Sequence, residues 1–231
     1  MRELQQIIFH VTIFSKDRVS EFMVTKTKVA KLLDILKAKK VINAAEASKL
    51  LGNKMAIYRL AEEGLVVKFE DAKNLGIFTL PDVGPEQATF AVLSQYYPDC
   101  VVSGITCLRI LDLGLDYIDR IHVDIAYPKD LKNELFETHR VKKEKINHVI
   151  EKAFEDRNIP FPIKIYNPER AMHEAYKYYG KTDAFYRAIK KYSSKYLDRK
   201  SPGVQYQTIK EIDSKVGAII VDLLALGDVH E

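Results

Sequence analysis

The stretch at residues 43–80, NAAEASKLLGNKMAIYRLAEEGLVVKFEDAKNLGIFTL, carries the local signals that decide the fold around it. Asn43 precedes a run of helix-forming residues, and Glu46 follows three positions later, which is the spacing of a capping box. Gly52 comes where a helix over 44–51 has to end, because glycine accepts positive φ angles without a Cβ clash. The sequence therefore predicts a short, capped helix followed by a tight turn.

A second helix and a hairpin are predicted to follow this turn. Asn53 can cap a helix over residues 54–63, and Gly64 ends it. Residues 65–69 are apolar and β-branched, and residues 77–80 form a similar run after a polar turn. Two short helices followed by a hairpin is the order of a winged helix-turn-helix, whose second helix lies in the major groove of DNA.

The second helix has one apolar and one polar face. Ile57, Leu60 and Ala61 recur at three- and four-residue spacing, so they are expected to face the core. The polar face provides groups that suit DNA: an arginine for guanine, an asparagine for adenine, and a lysine and a tyrosine for phosphates. The predicted DNA-binding residues of this helix and of the wing are Asn53, Lys54, Tyr58, Arg59, Lys68 and Lys73.

Composition and charge place the chain among folded proteins. The 231 residues are 47% apolar, which is enough for a core, and the net charge is +4. Residues 1–84 hold 14 Lys and Arg against 10 Asp and Glu, whereas residues 85–231 hold 22 of each. The positive excess therefore lies in the part that contains the helix-turn-helix, as expected of a part that meets phosphates.

The cysteine pattern and the hydropathy exclude several classes. Cys100 and Cys107 are the only cysteines, and their positions suit neither a disulfide framework nor a zinc finger. No stretch reaches the roughly 18 apolar residues that a membrane span requires. We therefore expect a cytoplasmic protein without a membrane partner.

The organisation of the rest follows from breaks in the sequence. Residues 1–26 are interpreted as an N-terminal extension, in which 6–14 is a strand or a buried helix and 17–24 two helical turns. An amphipathic helix over 27–40 would be the first helix of the winged domain. Prolines and a glycine at 81–85 mark the boundary, so the predicted domains are 27–82 and 83–231.

The second domain is predicted to be a mixed α/β domain with a small sheet and a helix-rich end, which makes the whole chain α+β. Pro168 after Asn167 is a strong helix start, because proline suits the first position of a helix. The expected strands are 100–102, 120–127 and 161–166, and the expected helices are 86–96, 103–113, 130–136, 143–156, 168–179, 182–197, 204–216 and 218–226.

A search for catalytic chemistry compared residues 103–127 with nucleotidyltransferases. These enzymes place a Gly-Ser pair at a helix start and two acidic residues on the next strand to hold magnesium. Here Ser103 and Gly104 are reversed, and the strand offers His122 and Asp124, a poor set for an ion that prefers oxygen. No catalytic residue, metal site or cofactor is predicted, and an enzyme that uses His122 and Asp124 is kept as an alternative.

Residues 181–200 combine seven Lys and Arg with interleaved tyrosines. Lys190, Lys191, Lys195 and Lys200 could form a second phosphate-binding face. The other interpretation is a solvated helix whose tyrosines are half buried.

Several of these motifs together resemble the AbiEi-type antitoxins of type IV toxin–antitoxin systems. The segments that carry the resemblance are GNKMAIYRLAEEGLVVKF (52–69), IFTLP (77–81), YPDCVVSGITCLRILDLGL (97–115), IHVDIAYP (121–128) and IKIYNPERAMHEAYKY (163–178). The resemblance covers nearly all of the chain after residue 27.

The resemblance implies a DNA-binding antitoxin that represses its own operon in abortive phage defence. It would bind paired repeats in its own promoter, self-associate on DNA and oppose a nucleotidyltransferase toxin without forming a stable complex with it. It would not be an enzyme. Two alternatives stay open beside the enzyme: an orphan winged-helix regulator and a winged module that binds protein instead of DNA.

Overall fold

A computed structural model describes residues 16–70, 75–114, 120–129, 131 and 134–227, with side chains from Lys26 onward. The chain divides into two units. The first contains the described residues up to Phe69 together with Leu75–Val83, and the second contains Glu70 and the described residues from Gly84 onward. The predicted strand or helix at 6–14 lies outside the described residues.

The first unit combines one long and two short helices with a three-stranded sheet. Its elements are α1 (Lys16–Lys39), β1 (Val41–Asn43), α2 (Ala44–Leu51), α3 (Ala56–Glu62), β2 (Val67–Lys68) and β3 (Ile77–Thr79). The strand order is β1-β3-β2, and both pairings are antiparallel. This is the arrangement of a winged helix: a helix-turn-helix is followed by a hairpin, and β1, which precedes α2, adds a third strand to the hairpin.

One apolar core holds this unit together. Its buried residues come from α1, β1, α2, α3 and the hairpin: Leu32, Leu36, Ile42, Ala47, Ile57, Leu60, Val66 and Phe78. The predicted cap of α2 is confirmed, because the Asn43 side chain accepts the Glu46 N–H at 2.8 Å. Gly52 ends the helix with a φ of 76°. These signals lie within a few residues of one another, which is why the sequence was sufficient to predict them.

Three details of the first unit differ from the predictions. Helix α1 begins at Lys16, so the boundary placed at residue 26 falls inside one continuous helix. No glycine or proline interrupts residues 16–39, and nothing local therefore stops the helix. Strand β1 was not predicted, because its three residues gain their partners only when β3 pairs with them. The wing strands are also shorter than predicted.

The second unit is built on a five-stranded mixed sheet. Its elements are α4 (Pro85–Tyr96), β4 (Val101–Val102), α5 (Gly104–Ile110), β5 (Ile121–Ala126), β6 (Phe136–Val141), β7 (Val149–Phe154), β8 (Ile159–Tyr166), α6 (Pro168–Tyr179), α7 (Asp183–Lys195), α8 (Gly203–Ile212) and α9 (Ser214–Gly227). The strand order is β6-β5-β4-β8-β7. The β5–β6 and β4–β8 pairs are parallel, and the other pairs are antiparallel.

Two helices predicted in the second unit are wrong. Residues 143–156 form a short 3-10 turn, strand β7 and a second 3-10 turn. The stretch 130–136 is not helical in its described part, and Phe136 begins β6. In both cases pairing with a neighbouring strand prevails over local propensity.

The remaining predicted helices are present, but the break between the last two lies at Asp213 instead of residue 217, because the Asp213 side chain accepts the N–H groups of Lys215 and Val216 at the start of α9. The Asn167 side chain caps α6 by accepting the Arg170 N–H at 2.9 Å, with Pro168 in the first turn. The chain is therefore a mixed α+β protein. Within the part that the structure describes, no helix has the length and apolar character that crossing a membrane would require.

Candidate nucleic-acid interface

Helix α3 has an exposed polar face, and its opposite face packs in the apolar core. Ile57 and Leu60 are buried in the core of the first unit. Arg59 is exposed, and Tyr58 keeps 37% of its surface accessible. The two faces that the sequence predicted are therefore present, because apolar residues at helical spacing turn the intervening residues to solvent.

Tyr58 is also held in place by the hairpin. Its ring meets the ring of buried Phe78 edge-on, with centroids 5.3 Å apart and an angle of 86° between the ring planes. Such a contact restricts the ring, while part of the residue stays exposed. Sequence reasoning missed this support, since Phe78 lies 20 residues away on β3.

The start of α3 is later than predicted, and this changes the role of Asn53. The helix begins at Ala56, with Met55 as its N-terminal cap residue. The Asn53 side-chain oxygen accepts the Met55 N–H at 2.8 Å, which closes an Asx turn. Asn53, Lys54 and Met55 therefore form the turn between the two helices. All three are exposed, and Met55 has 56% of its surface accessible.

A lysine of α1 lies beside this turn. A Cβ atom added to Gly52 would come within 3.3 Å of the Lys28 Nζ atom. The ammonium group therefore lies close to the start of the predicted recognition segment. From the sequence, the lysines of this helix fitted either contact with backbone phosphates or a solvated helix face. The proximity of Lys28 to Gly52 depends on how α1 packs against α2, so the sequence did not distinguish the two.

The wing contributes less to the described surface. Lys68 lies on β2 and is partly buried, whereas neighbouring Val67 has 45% of its surface accessible. Lys73 lies outside the described residues. Of the six predicted contacts, Asn53, Lys54, Tyr58 and Arg59 are thus brought together around α3.

The second unit contains a different, largely buried polar cluster. Asp124 on β5 is 4% exposed and accepts the Tyr166 hydroxyl at 2.6 Å. Burial, and then the neighbouring Asp124 carboxylate, raises the pKa of Tyr166 above its usual range. Ser103 is fully buried, and its hydroxyl oxygen has no hydrogen-bond partner among the described residues. Asp124, one of the two residues in the enzymatic alternative, is thus bound within the fold.

The other residue of that alternative, His122, joins a group of three side chains. Its Nδ1 atom lies 3.3 Å from Nε2 of His139 and 3.5 Å from the Tyr178 hydroxyl. That hydroxyl lies 3.2 Å from the same His139 nitrogen. Burial, and then nearby carboxylates, raises the pKa of Tyr178 to about 12. Among the described residues, no group of three or more His, Cys, Asp and Glu side chains is placed to bind a metal.

The basic segment at 181–200 corresponds to α7 and the turn after it. Lys191 lies 3.1 Å and Lys195 3.9 Å from the Asp112 carboxylate, and the Lys191 hydrogen bond holds the pKa of that carboxyl below its usual value. Tyr192 is fully buried and donates to Glu169 at 2.9 Å. Two of the four predicted phosphate contacts are thus engaged with the protein, which favours the structural interpretation of this helix.

Comparison with known proteins adds a likeness of fold. No protein-family model matches the sequence. No curated protein matches it either. Among solved structures, the chain is similar to the crystal structure of the RV2827C protein from Mycobacterium tuberculosis, with a TM-score of 0.53 and 14% sequence identity. The match covers 86% of this chain and 81% of that chain, and at this identity it shows a shared fold alone.

Proposed function

We propose that this chain is a sequence-specific DNA-binding repressor that serves as the antitoxin of a type IV, AbiEi-like system. The observation that carries the proposal is the exposed polar face of α3, which contains Tyr58 and Arg59. The opposite face of the helix is anchored in the apolar core by Ile57 and Leu60. A rigid helix with polar groups on its outer face is what direct readout in a major groove requires.

The individual roles follow from the chemistry of the side chains. Arg59 presents a planar guanidinium that suits the two acceptors of guanine. Lys28 and Lys54, near the turn, suit backbone phosphates, which fix the register of a protein on DNA. The Asn53 side-chain oxygen already accepts the Met55 N–H. We therefore assign to Asn53 a hydrogen bond donated to DNA by its NH₂ group, instead of a bidentate contact to adenine.

The proposal for the whole chain rests on the family resemblance. It includes autorepression through paired promoter repeats, self-association on DNA, and opposition to a nucleotidyltransferase toxin without a stable complex. The protein would act in the cytoplasm, and its binding to DNA would need no cofactor. The fold likeness reported above is compatible with this proposal and does not bear on activity.

Binding to the chain's own promoter tests the role of α3. The Tyr58→Ala, Arg59→Ala double variant is compared with the Tyr186→Ala, Arg187→Ala double variant. The second variant loses the same two types of exposed side chain, but from α7. We expect the first variant to lose at least about 1–3 kcal/mol of binding free energy, since each good base contact contributes that much. The second variant should bind like the wild type. Equal affinity of all three proteins would remove α3 from the interface.

Two further measurements separate the proposal from its rivals. Binding affinity should fall steeply with salt, because phosphate contacts release counterions, whereas a protein-binding module would show no such DNA binding. Co-expression with a nucleotidyltransferase encoded beside this gene should restore growth that the toxin alone inhibits. DNA binding without such rescue would favour an orphan regulator, and magnesium-dependent nucleotide transfer abolished by Asp124→Ala would favour an enzyme.

A further inference from the structure

Three donor atoms of the second unit form a nearly equilateral triangle. Its corners are Nδ1 of His122, Nε2 of His139 and the hydroxyl oxygen of Tyr178, and its sides measure 3.3, 3.2 and 3.5 Å. The residues come from β5, β6 and α6, so the grouping arises only from the tertiary fold. Their spacing along the chain showed no metal-binding pattern for this reason.

The size of this triangle matches one face of a metal tetrahedron. Zinc–ligand bonds of about 2.0–2.1 Å at tetrahedral angles place two ligand atoms about 3.3 Å apart. An ion on one side of the triangle could therefore bind all three atoms with only small shifts. The three side chains are partly buried, so they are ordered by the fold but remain within reach of solvent.

The backbone leaves space for the tyrosine at this point. Gly104 begins α5 with a φ of 53°, and a Cβ atom there would lie 2.7 Å from the Tyr178 hydroxyl oxygen. Any larger residue would displace that hydroxyl from the two imidazoles. Thr106 of the same helix accepts the His122 backbone N–H at 2.9 Å, which ties β5 to α5. Glycine at this position thus allows the positive φ and also leaves room for the Tyr178 oxygen.

We propose that His122, His139 and Tyr178 bind a divalent transition-metal ion of the zinc type, with water as the fourth ligand. Two imidazoles and a phenol oxygen suit zinc or its late first-row neighbours, whereas magnesium and calcium prefer sites built from oxygen atoms alone. The site lies wholly within the second unit and is independent of the proposed DNA interface. The bound ion would fasten α6 to the β5–β6 edge of the sheet.

The test uses the full chain without an affinity tag, after treatment with a chelator. Zinc affinity is measured by competition with a chromophoric chelator, and Co²⁺ serves as a spectroscopic probe. We expect one ion per chain, a Co²⁺ visible spectrum of tetrahedral intensity, and a rise in melting temperature that the chelator reverses. Millimolar Mg²⁺ should not displace the ion.

Matched variants localise the binding. Tyr178→Phe keeps the ring and removes only the oxygen, and His139→Ala removes an imidazole; each should weaken zinc binding at least tenfold, since even loss of outer-shell partners costs about 10–100-fold. Tyr186→Phe and His148→Asn should bind as the wild type does. The proposal is overturned if the wild type binds no zinc, if Mg²⁺ competes, or if Tyr178→Phe leaves both affinity and the Co²⁺ spectrum unchanged.

Discussion

In the first unit the polar side chains of α3 stand in solvent above an apolar core, whereas in the second unit Asp124 and Tyr166 are buried against each other. Exposed groups can exchange water for a partner at little cost to the fold. Buried polar groups must instead keep their hydrogen bonds, because an unpaired one destabilises the native state. The difference is compatible with the proposed DNA contact through α3 and gives the Asp124–Tyr166 pair a structural role in the second unit.

The largest expected effect concerns the two faces of α3. Ile57→Ala should cost about 2–5 kcal/mol of local stability, because Ile57 is fully buried. Arg59→Ala should change stability by no more than about 0.5 kcal/mol, because the residue is exposed. Amide hydrogen exchange over residues 44–62 measures both. If Arg59→Ala opened the helix as readily as Ile57→Ala, the contrast between the two faces would be wrong.

The next effect concerns the buried cluster. Tyr166→Phe removes the donor that the Asp124 carboxylate accepts at 2.6 Å and leaves a buried oxygen without it. The expected loss is about 1–3 kcal/mol of unfolding free energy. Tyr186→Phe, on an exposed tyrosine, is the matched control and should be nearly neutral. Urea unfolding followed by circular dichroism compares them, and equal midpoints would mean that the Asp124–Tyr166 bond contributes nothing.

The smallest effect is a dependence on pH. Burial lowers the pKa of His173, whose Nε2–H donates to the Ile209 carbonyl at 2.8 Å. As the pH falls below about 6.5, the unfolded chain takes up a proton that the native chain resists, so stability falls by at most about 1.4 kcal/mol per pH unit. His173→Gln should flatten this dependence between pH 7 and 5. An unchanged slope would show that other groups cause it.

The sequence was most informative where its signals were local. Asn43 with Glu46, Gly52, and Asn167 with Pro168 each act within a few residues, and the helices they begin or end are present. The two faces of α3 follow from a spacing that no distant contact alters. The fold class and much of the proposed DNA surface could therefore be predicted.

The two wrong helices and the missed strands share one physical cause, which is pairing between distant segments. Apolar residues at 146, 149, 150, 153 and 154 have helical spacing, yet Val149–Phe154 is a strand because β8 pairs with it. The grouping of His122, His139 and Tyr178 was likewise hidden, since β6 had not been predicted as a full strand. Asn53 was misassigned on a finer scale: it closes a turn two residues before the helix cap.

The central claim is that the exposed face of α3 meets DNA, and site-specific photo-crosslinking tests it most directly. A benzophenone amino acid replaces Tyr58 in one protein and Tyr186 in another, and each is irradiated with the chain's own promoter under conditions where the wild type binds. The account predicts crosslinks from position 58 that competitor promoter removes, and none from position 186. The account would be contradicted if crosslinks formed only from position 186, or if the protein bound DNA but gave no crosslinks from position 58.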